Sequence, residues 1–173
     1  MKFNNRQNTQ IKTEDGIIFH SRSVAICNTV IAMHNNKAYV LIGKRSKNMD
    51  NAHKLNLPCG YLDWDETLTD AVKRELYEET KLNVDDILSN KNYNVLYWDE
   101  KPWDVTSNIN TDKQNVTLHY SLIFVCSELP EIEPDFESVW VKWIPVNDFL
   151  SINEDAIAFN HQNVLSRFLD KTF

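Results

Sequence analysis

Apolar and polar residues alternate along "SVAICNTVIAM" (23–33), and a second apolar run, "KAYVLIGKR" (37–45), follows the turn "HNNK"; together they predict a hairpin of two strands. A loop, "SKNMDNAHKLNLPCGYLDWDE", comes next, and then the apolar spacing changes. Leu68, Val72 and Leu76 recur at helical intervals and predict a helix from about Thr67 to about Leu82. Thr67 with Asp70 three residues on resembles a capping box with aspartate in place of glutamate, which sets the start. Three later segments, "NYNVLYW" (92–98), "QNVTLHYSLIFVC" (114–126) and "SVWVKWI" (138–144), are rich in β-branched and aromatic residues and predict strands; "DEKPWDVTSNINTDK" between the first two reads as a loop. "VNDFL" reads as a helical turn. In "NEDAIAFNHQNVLSRFLD" (153–170) the apolar positions Ile157, Val164, Leu165, Phe168 and Leu169 mark the core face of a final helix.

Strands, helix, more strands and helix within 173 residues, with no internal repeat or linker, predict a single domain over 1–173. The polar first fifteen residues suit a loose tail or an arm on a partner subunit, so a homodimer is left open. No run of about eighteen apolar residues exists to span a bilayer, and "MKFNNRQNTQIKTEDG" lacks the apolar centre of a secretory signal; the expectation is a cytoplasmic protein without a membrane partner. Cys27, Cys59 and Cys126 are odd in number and widely spaced, which suggests neither a disulfide framework nor a zinc site. A net charge of -7 argues against an extended nucleic-acid footprint. An anionic ligand would need a metal ion or a local basic patch.

The predicted helix carries an unusual charge pattern. With Glu75 at zero on a helical wheel, Leu68, Val72 and Leu76 fall near about 20°, 60° and 100°, while Glu79 falls near about 40° and Glu78 near about 300°. The three carboxylates therefore overlap the edge of the buried stripe, whereas a solvated face would lie opposite it. Like charges at i, i+3 and i+4 repel, and Arg74 offsets only part of that. A hard divalent cation, Mg²⁺ or Mn²⁺, is the simplest compensating partner for an oxygen-rich cluster.

Gly60, five residues, Glu66, seven residues, then Arg74-Glu75-Leu76-Tyr77-Glu78-Glu79-Thr80-Lys81-Leu82 closely resembles the Nudix box; only Lys81 departs from it, standing where the box has glycine. The resemblance implies an α+β fold, the Nudix α/β/α sandwich, with a mixed sheet, the box helix and a C-terminal helix. It also implies a metal-dependent hydrolase that cleaves the pyrophosphate of a small nucleotide derivative: ADP-ribose, a nucleotide sugar, a dinucleotide or a nucleoside triphosphate. Carried over, Glu75, Glu78 and Glu79 become metal ligands, one of them able to deprotonate the attacking water, with the backbone carbonyl of Cys59 as a further ligand. Arg74 would orient a carboxylate and Gly60 would shape the loop before the helix. Glu66 is open between ligand and buried partner of Arg74. The rival reading from another class is a non-catalytic Nudix-like domain that binds a nucleotide as a sensor or regulator. At Lys81 a left-handed conformation would cost about 1 kcal/mol, so the helix is expected to run one turn further and stop at Asn83.

Other signals are weaker. "VLIGKRS" is not a Walker motif, because position 38 is Ala38 and Lys44 is followed by Arg45. Arg45 is a candidate phosphate contact set against a solvated strand end; His53 and Lys54 are candidates beside it. Trp64, Trp98 and Trp103 are candidates for stacking on a base. Glu128, Glu131, Glu133 and Glu137 offer an additional acid outside the box, without a choice among them.

Overall fold

The computed structural model describes residues 8–109 and 114–172. A central mixed sheet contains β3 (Val24–His34), β4 (Lys37–Arg45), β5 (Leu55–Asn56), β6 (Cys59–Tyr61), β7 (Tyr93–Trp98), β8 (Asp104–Ser107), β9 (Val116–Cys126) and β10 (Ser138–Pro145). Its main path runs β10-β4-β3-β9-β7, with β5 on β4, β6 on β3 and β8 on β9. β3 and β9 lie parallel, Val24 beside Val116 through Met33 beside Val125, while β3–β4, β4–β10 and β7–β9 are antiparallel.

Helices cover both faces. Ile26, Val30, Leu41, Leu122 and Phe124 pack with Val72 and Leu76 of α1 (Leu68–Thr80) and with Val84 and Ile87 of α2 (Val84–Ser89). The neighbouring positions Ile31, Val40, Ile42 and Ile123 point the other way, onto Phe149 of α3 (Val146–Leu150) and Val164, Leu165 and Phe168 of α4 (His161–Thr172). Burial on both sides explains why β3, β4 and β9 are near-continuous apolar runs and not cleanly alternating ones. This is the expected α/β/α sandwich.

The start of α1 follows the predicted capping box. Thr67 Oγ1 accepts from the Asp70 N–H at 3.2 Å, and the Asp70 carboxylate accepts from the Thr67 N–H at 3.2 Å. Its end differs from expectation. The helix does not reach Asn83: Lys81 itself takes the left-handed conformation, φ 60°, and its N–H donates to the Tyr77 carbonyl at 2.9 Å. Asn83 instead caps α2, accepting from the Asp85 N–H at 3.0 Å. The buried pair Leu82 and Val84 draws the chain back to the core, and Thr80 Oγ1 accepts from the Leu82 N–H at 3.2 Å to hold the turn. Tertiary burial thus outweighs a backbone cost of about 1 kcal/mol. Replacing Lys81 by glycine is expected to raise stability by about 0.5–1 kcal/mol in urea denaturation. A lower midpoint would mean that the lysine's contacts with the Tyr77 ring, 5.3 Å from Nζ, and the Glu78 carbonyl are worth more than the strain.

Three more expectations are corrected or placed. The segment read as a loop between β7 and β9 contains β8, held by pairing to the long β9 and not by any apolar pattern of its own. The last helix begins at His161 and not near 153. Consecutive left-handed residues, Phe159 at φ 55° and Asn160 at φ 59°, break the expected helix, while Leu55 and Ile157 form a β-bridge and the Ala158 N–H donates to the Leu55 carbonyl. Near the N-terminus, β1 (Thr9–Thr13) and β2 (Gly16–His20) form an exposed antiparallel hairpin; the first seven positions of the predicted tail lie outside the described residues. Among the described residues no helix is long and apolar enough to cross a membrane.

Candidate active site

The pairing of β6 on β3 sets Gly60 beside Ile26 and brings the chain under α1. Here Glu75 leans onto the Gly60 backbone so closely that a Cβ at position 60 would lie 2.1 Å from the carboxyl carbon. Glycine is required for this approach and not for an unusual backbone angle. One turn along α1, Glu79 Oε2 accepts from the Cys59 N–H at 3.0 Å. Both side chains are nearly closed to solvent, with 8% and 7% residue exposure, while Glu78 is exposed beside them. The wheel placed the first two at the edge of the buried stripe, and that is where they lie.

Arg74 ties this group together. Its Nε and Nη2 form a fork onto Glu66 at 2.9 and 2.8 Å; Nη2 also donates to the Tyr61 carbonyl at 2.8 Å, and Nη1 donates to Glu75 and Glu78 at 2.9 Å each. Glu66 accepts in addition from the Asp63 N–H at 2.7 Å, so its geometry is that of a positioning partner for Arg74.

Negative charge nevertheless exceeds its compensation. Burial pushes the Glu79 carboxyl well above the usual carboxylate range, and Glu75, Glu137 and Asp135 push the same way against the Cys59 N–H. Burial also raises Glu75, with Arg74 opposing, and raises Glu137, with Asp135 adding. Arg74 by contrast holds Glu66 below its ordinary value. Among the described residues no three acidic, histidine or cysteine side chains are already gathered as a metal cage. The donor set and the surplus charge nonetheless suit a hard cation, which would offset both the burial and the added repulsion that raise these groups.

Glu75 and Glu78 open onto a cleft of about 610 Å³; Glu79, buried behind Glu75 against the Cys59 N–H, is not among its lining residues. Of the residues singled out from sequence, Arg45, Cys59, Gly60, Arg74, Glu75, Glu78 and Glu137 line it. Arg45 is not a solvated strand end: it is 7% exposed, its Nε donates to the Asp50 carbonyl at 2.5 Å, and its guanidinium sits 5.0 Å over the Phe159 ring. His53 and Lys54 do not line the cleft, nor do Glu128, Glu131 and Glu133. Trp64 projects into solvent at 93% exposure; Trp98 and Trp103 pack against the two cores.

Phe159 and His161 line the cleft and were missed. One signal existed for Phe159: it falls about 200° from Ile157 on a helical wheel, too far round for a shared apolar stripe. His161 Nδ1 accepts from the Leu57 N–H at 3.0 Å, which leaves Nε2 to carry the proton, 3.6 Å from Cys27 Sγ. Burial, then the neighbouring His119 and Arg45, hold its pKa down to about 3 from 6.5. A histidine depressed in the folded state contributes stability that is complete above its unfolded pKa and is lost as pH falls toward the folded one. Relative to His161→Asn, which keeps an acceptor for Leu57, the wild type is expected to lose on the order of 3 kcal/mol between pH 6.5 and 4. Parallel denaturation curves for the two proteins across that window would refute this.

The sequence matches the NUDIX domain over residues 24–168. A search of curated proteins found no match. Among solved structures, the NUDIX domain of Shewanella oneidensis NrtR complexed with ADP ribose is similar at 20% identity and TM-score 0.65, covering 90% of this chain and 91% of that one. A bifunctional NMN adenylyltransferase/ADP ribose pyrophosphatase from Francisella tularensis, complexed with AMP and Mn ion, aligns at 23% identity and TM-score 0.61, over 87% of this chain and 42% of that one. A C. elegans Ap4A hydrolase binary complex aligns at 17% identity and TM-score 0.58, over 86% and 98%.

Proposed function

Because the chain belongs to the Nudix family, we propose that it is a divalent-metal-dependent pyrophosphohydrolase acting on a nucleoside diphosphate linked to another moiety. The observation that carries this reading is the under-compensated carboxylate pair of Glu75, which lines the cleft with Glu78, Arg45 and Glu137, and Glu79, buried one turn behind it against the Cys59 N–H. Two of the similar structures are complexed with ADP ribose and with AMP and manganese, which supports a nucleotide ligand.

Glu75, Glu78 and Glu79, with the Cys59 carbonyl, would hold Mg²⁺ or Mn²⁺. When bound, the cation neutralises phosphate charge and polarises a water. Arg74 fixes Glu75 and Glu78 by charge-assisted bonds to one oxygen of each carboxylate, which leaves the other oxygen of each out of that bond. Arg45, which lines the same cleft and is held by the Asp50 carbonyl and the Phe159 ring, supplies a cation for a phosphate oxygen. Water attacks one phosphorus, its proton passes to a carboxylate among Glu75, Glu78, Glu79 and Glu137, and the bridging P–O bond breaks toward the other phosphate. Retention of all four box glutamates supports catalysis over the binding-only sensor.

The test is incubation of purified protein with Mg²⁺ or Mn²⁺ and a panel of ADP-ribose, nucleotide sugars, dinucleotides and nucleoside triphosphates. Metal-dependent release of a nucleoside monophosphate or pyrophosphate is expected. Turnover of none of them would sink the proposal.

A further inference from the structure

Beside the carboxylate cleft lies a second cavity of about 840 Å³, which shares Asp50, Asn115, Thr117, Phe159 and His161 with it. Its far wall comes from α4, β8 and β9 and includes Asn163, Arg167, Thr106 and His119. The two spaces differ in chemistry. The cation of the second, Arg167, is already paired with Asp104 at 2.7 Å, and Asp50 at the shared border is the carboxylate among its described lining residues. The rest of its polar lining is amide, hydroxyl and imidazole.

The imidazoles add no charge. His119 Nε2 lies 2.9 Å from Thr106 Oγ1, Nδ1 has no hydrogen-bond partner although the residue is buried, and burial holds the pKa to about 4. Asn115 Oδ1 is likewise buried without a partner. Neutral groups that donate and accept suit hydroxyls, which do both at one atom, and the buried, unpartnered Arg167 Nε adds a donor; among the described lining residues the charge of Arg167 is balanced by Asp104, so a further phosphate would find no free positive charge. Phe159 stands at the junction, 47% exposed, offering an apolar surface to the C–H groups of a ring. A nucleobase would need a flat apolar slot, and Phe159 and Val164 are the large apolar side chains of this lining.

We propose that this second cavity takes an uncharged, hydroxyl-rich group joined through the diphosphate, so that the substrates are nucleoside diphosphate sugars, with Asn163 and Arg167 as specificity-determining residues. The inference rests on the carboxylate cleft being the diphosphate site. It excludes nucleoside triphosphates as preferred substrates, since their terminal phosphate would enter a cavity built for hydroxyls.

The experiment compares kcat and KM for UDP-glucose and ADP-ribose with those for ATP, using the Mg²⁺-loaded full chain and its Asn163→Leu variant. Asn163 is exposed on α4, so the fold tolerates the change; Arg167→Lys, which keeps the charge facing Asp104, is the second variant. The wild type should favour the sugar diphosphates by at least about tenfold in kcat/KM, and each variant should lower the ratio of sugar-diphosphate to ATP kcat/KM by ~10–100-fold, chiefly through KM. Equal preference in the wild type, or equal losses on both substrate types, would overturn the proposal. Calorimetric binding separates it from the hydrolysis reading. A protein that cleaves nothing yet binds UDP-glucose at least about tenfold more tightly than UDP, with the difference lost in Asn163→Leu, sinks the hydrolysis and supports the cavity assignment. Equal affinity for UDP and UDP-glucose overturns the assignment whatever the turnover.

Discussion

Glu79→Gln is expected to lower kcat for pyrophosphate cleavage by ~10³-fold or more while leaving the protein folded. The substitution is nearly isosteric, and the amide oxygen can still accept from the Cys59 N–H, 3.0 Å away in the wild type. What disappears is a negative charge that burial and Glu75 oppose. A carboxyl whose folded pKa is raised destabilises the protein once pH exceeds its unfolded value of 4.5, so in metal-free buffer at neutral pH the variant should unfold at higher denaturant than the wild type. Millimolar Mg²⁺ should reverse that order, because a cation that binds only the folded protein stabilises it by mass action and the variant has lost a ligand. Initial rates together with melting curves with and without metal check both halves. A variant as active as the wild type would remove Glu79 from the chemistry; an active-site charge with no effect of Mg²⁺ on either melting curve would remove the metal.

The second large effect is expected from Gly60→Ala, and it should separate activity from stability. The new methyl group would overlap the Glu75 carboxyl, 2.1 Å away, which is the free end of a flexible side chain and not backbone. Glu75 can therefore swing aside at small conformational cost, but it then leaves both the Arg74 Nη1 contact at 2.9 Å and its place in the cleft. A displacement of an ångström or more at a catalytic group costs about 10²-fold in rate. Hydrolysis should fall by that much or more, with the urea midpoint shifted by less than about 1 kcal/mol equivalent. Retained activity would show that Glu75 does not need its present position. A collapse of stability would show that Gly60 serves the strand and not the carboxylate.

Much of this site could be read before any coordinates. The wheel placed Glu75 and Glu79 against the buried stripe because a helix fixes side-chain direction from spacing alone. The cap at Thr67 was legible for a similar reason: its two bonds join residues three apart. What escaped prediction depends on distant partners. Asp104–Ser107 has no strand pattern and is a strand because β9 offers an edge to it. Lys81 looked too costly for a left-handed turn until the burial of Leu82 and Val84 on either side of Asn83 came into view. Arg45 resembled a solvated strand end, since nothing near it in sequence announces Phe159, and Phe159 lies in a segment whose apolar spacing suggested helix. The choice of Glu137 from four acidic residues likewise required the cleft itself.

The parallel pairing of β3 with β9 has a consequence for how the chain reaches its working form. Val24 and Val116 are neighbours in the sheet, yet the β4 hairpin, β6, both carboxylate-side helices and β7 all lie between them in the chain. That contact closes a long loop, and such closures are paid in chain entropy before they return any burial, which slows folding. Gly60, on β6, pairs with β3, the same strand that β9 must find, while Thr117 of β9 and Asn115 just before it enter the cleft. The carboxylates can therefore gather on a nascent helix early, but the space for a substrate exists only after this long-range pairing is complete. Substrate binding is in this sense a proofreading signal for the finished sheet.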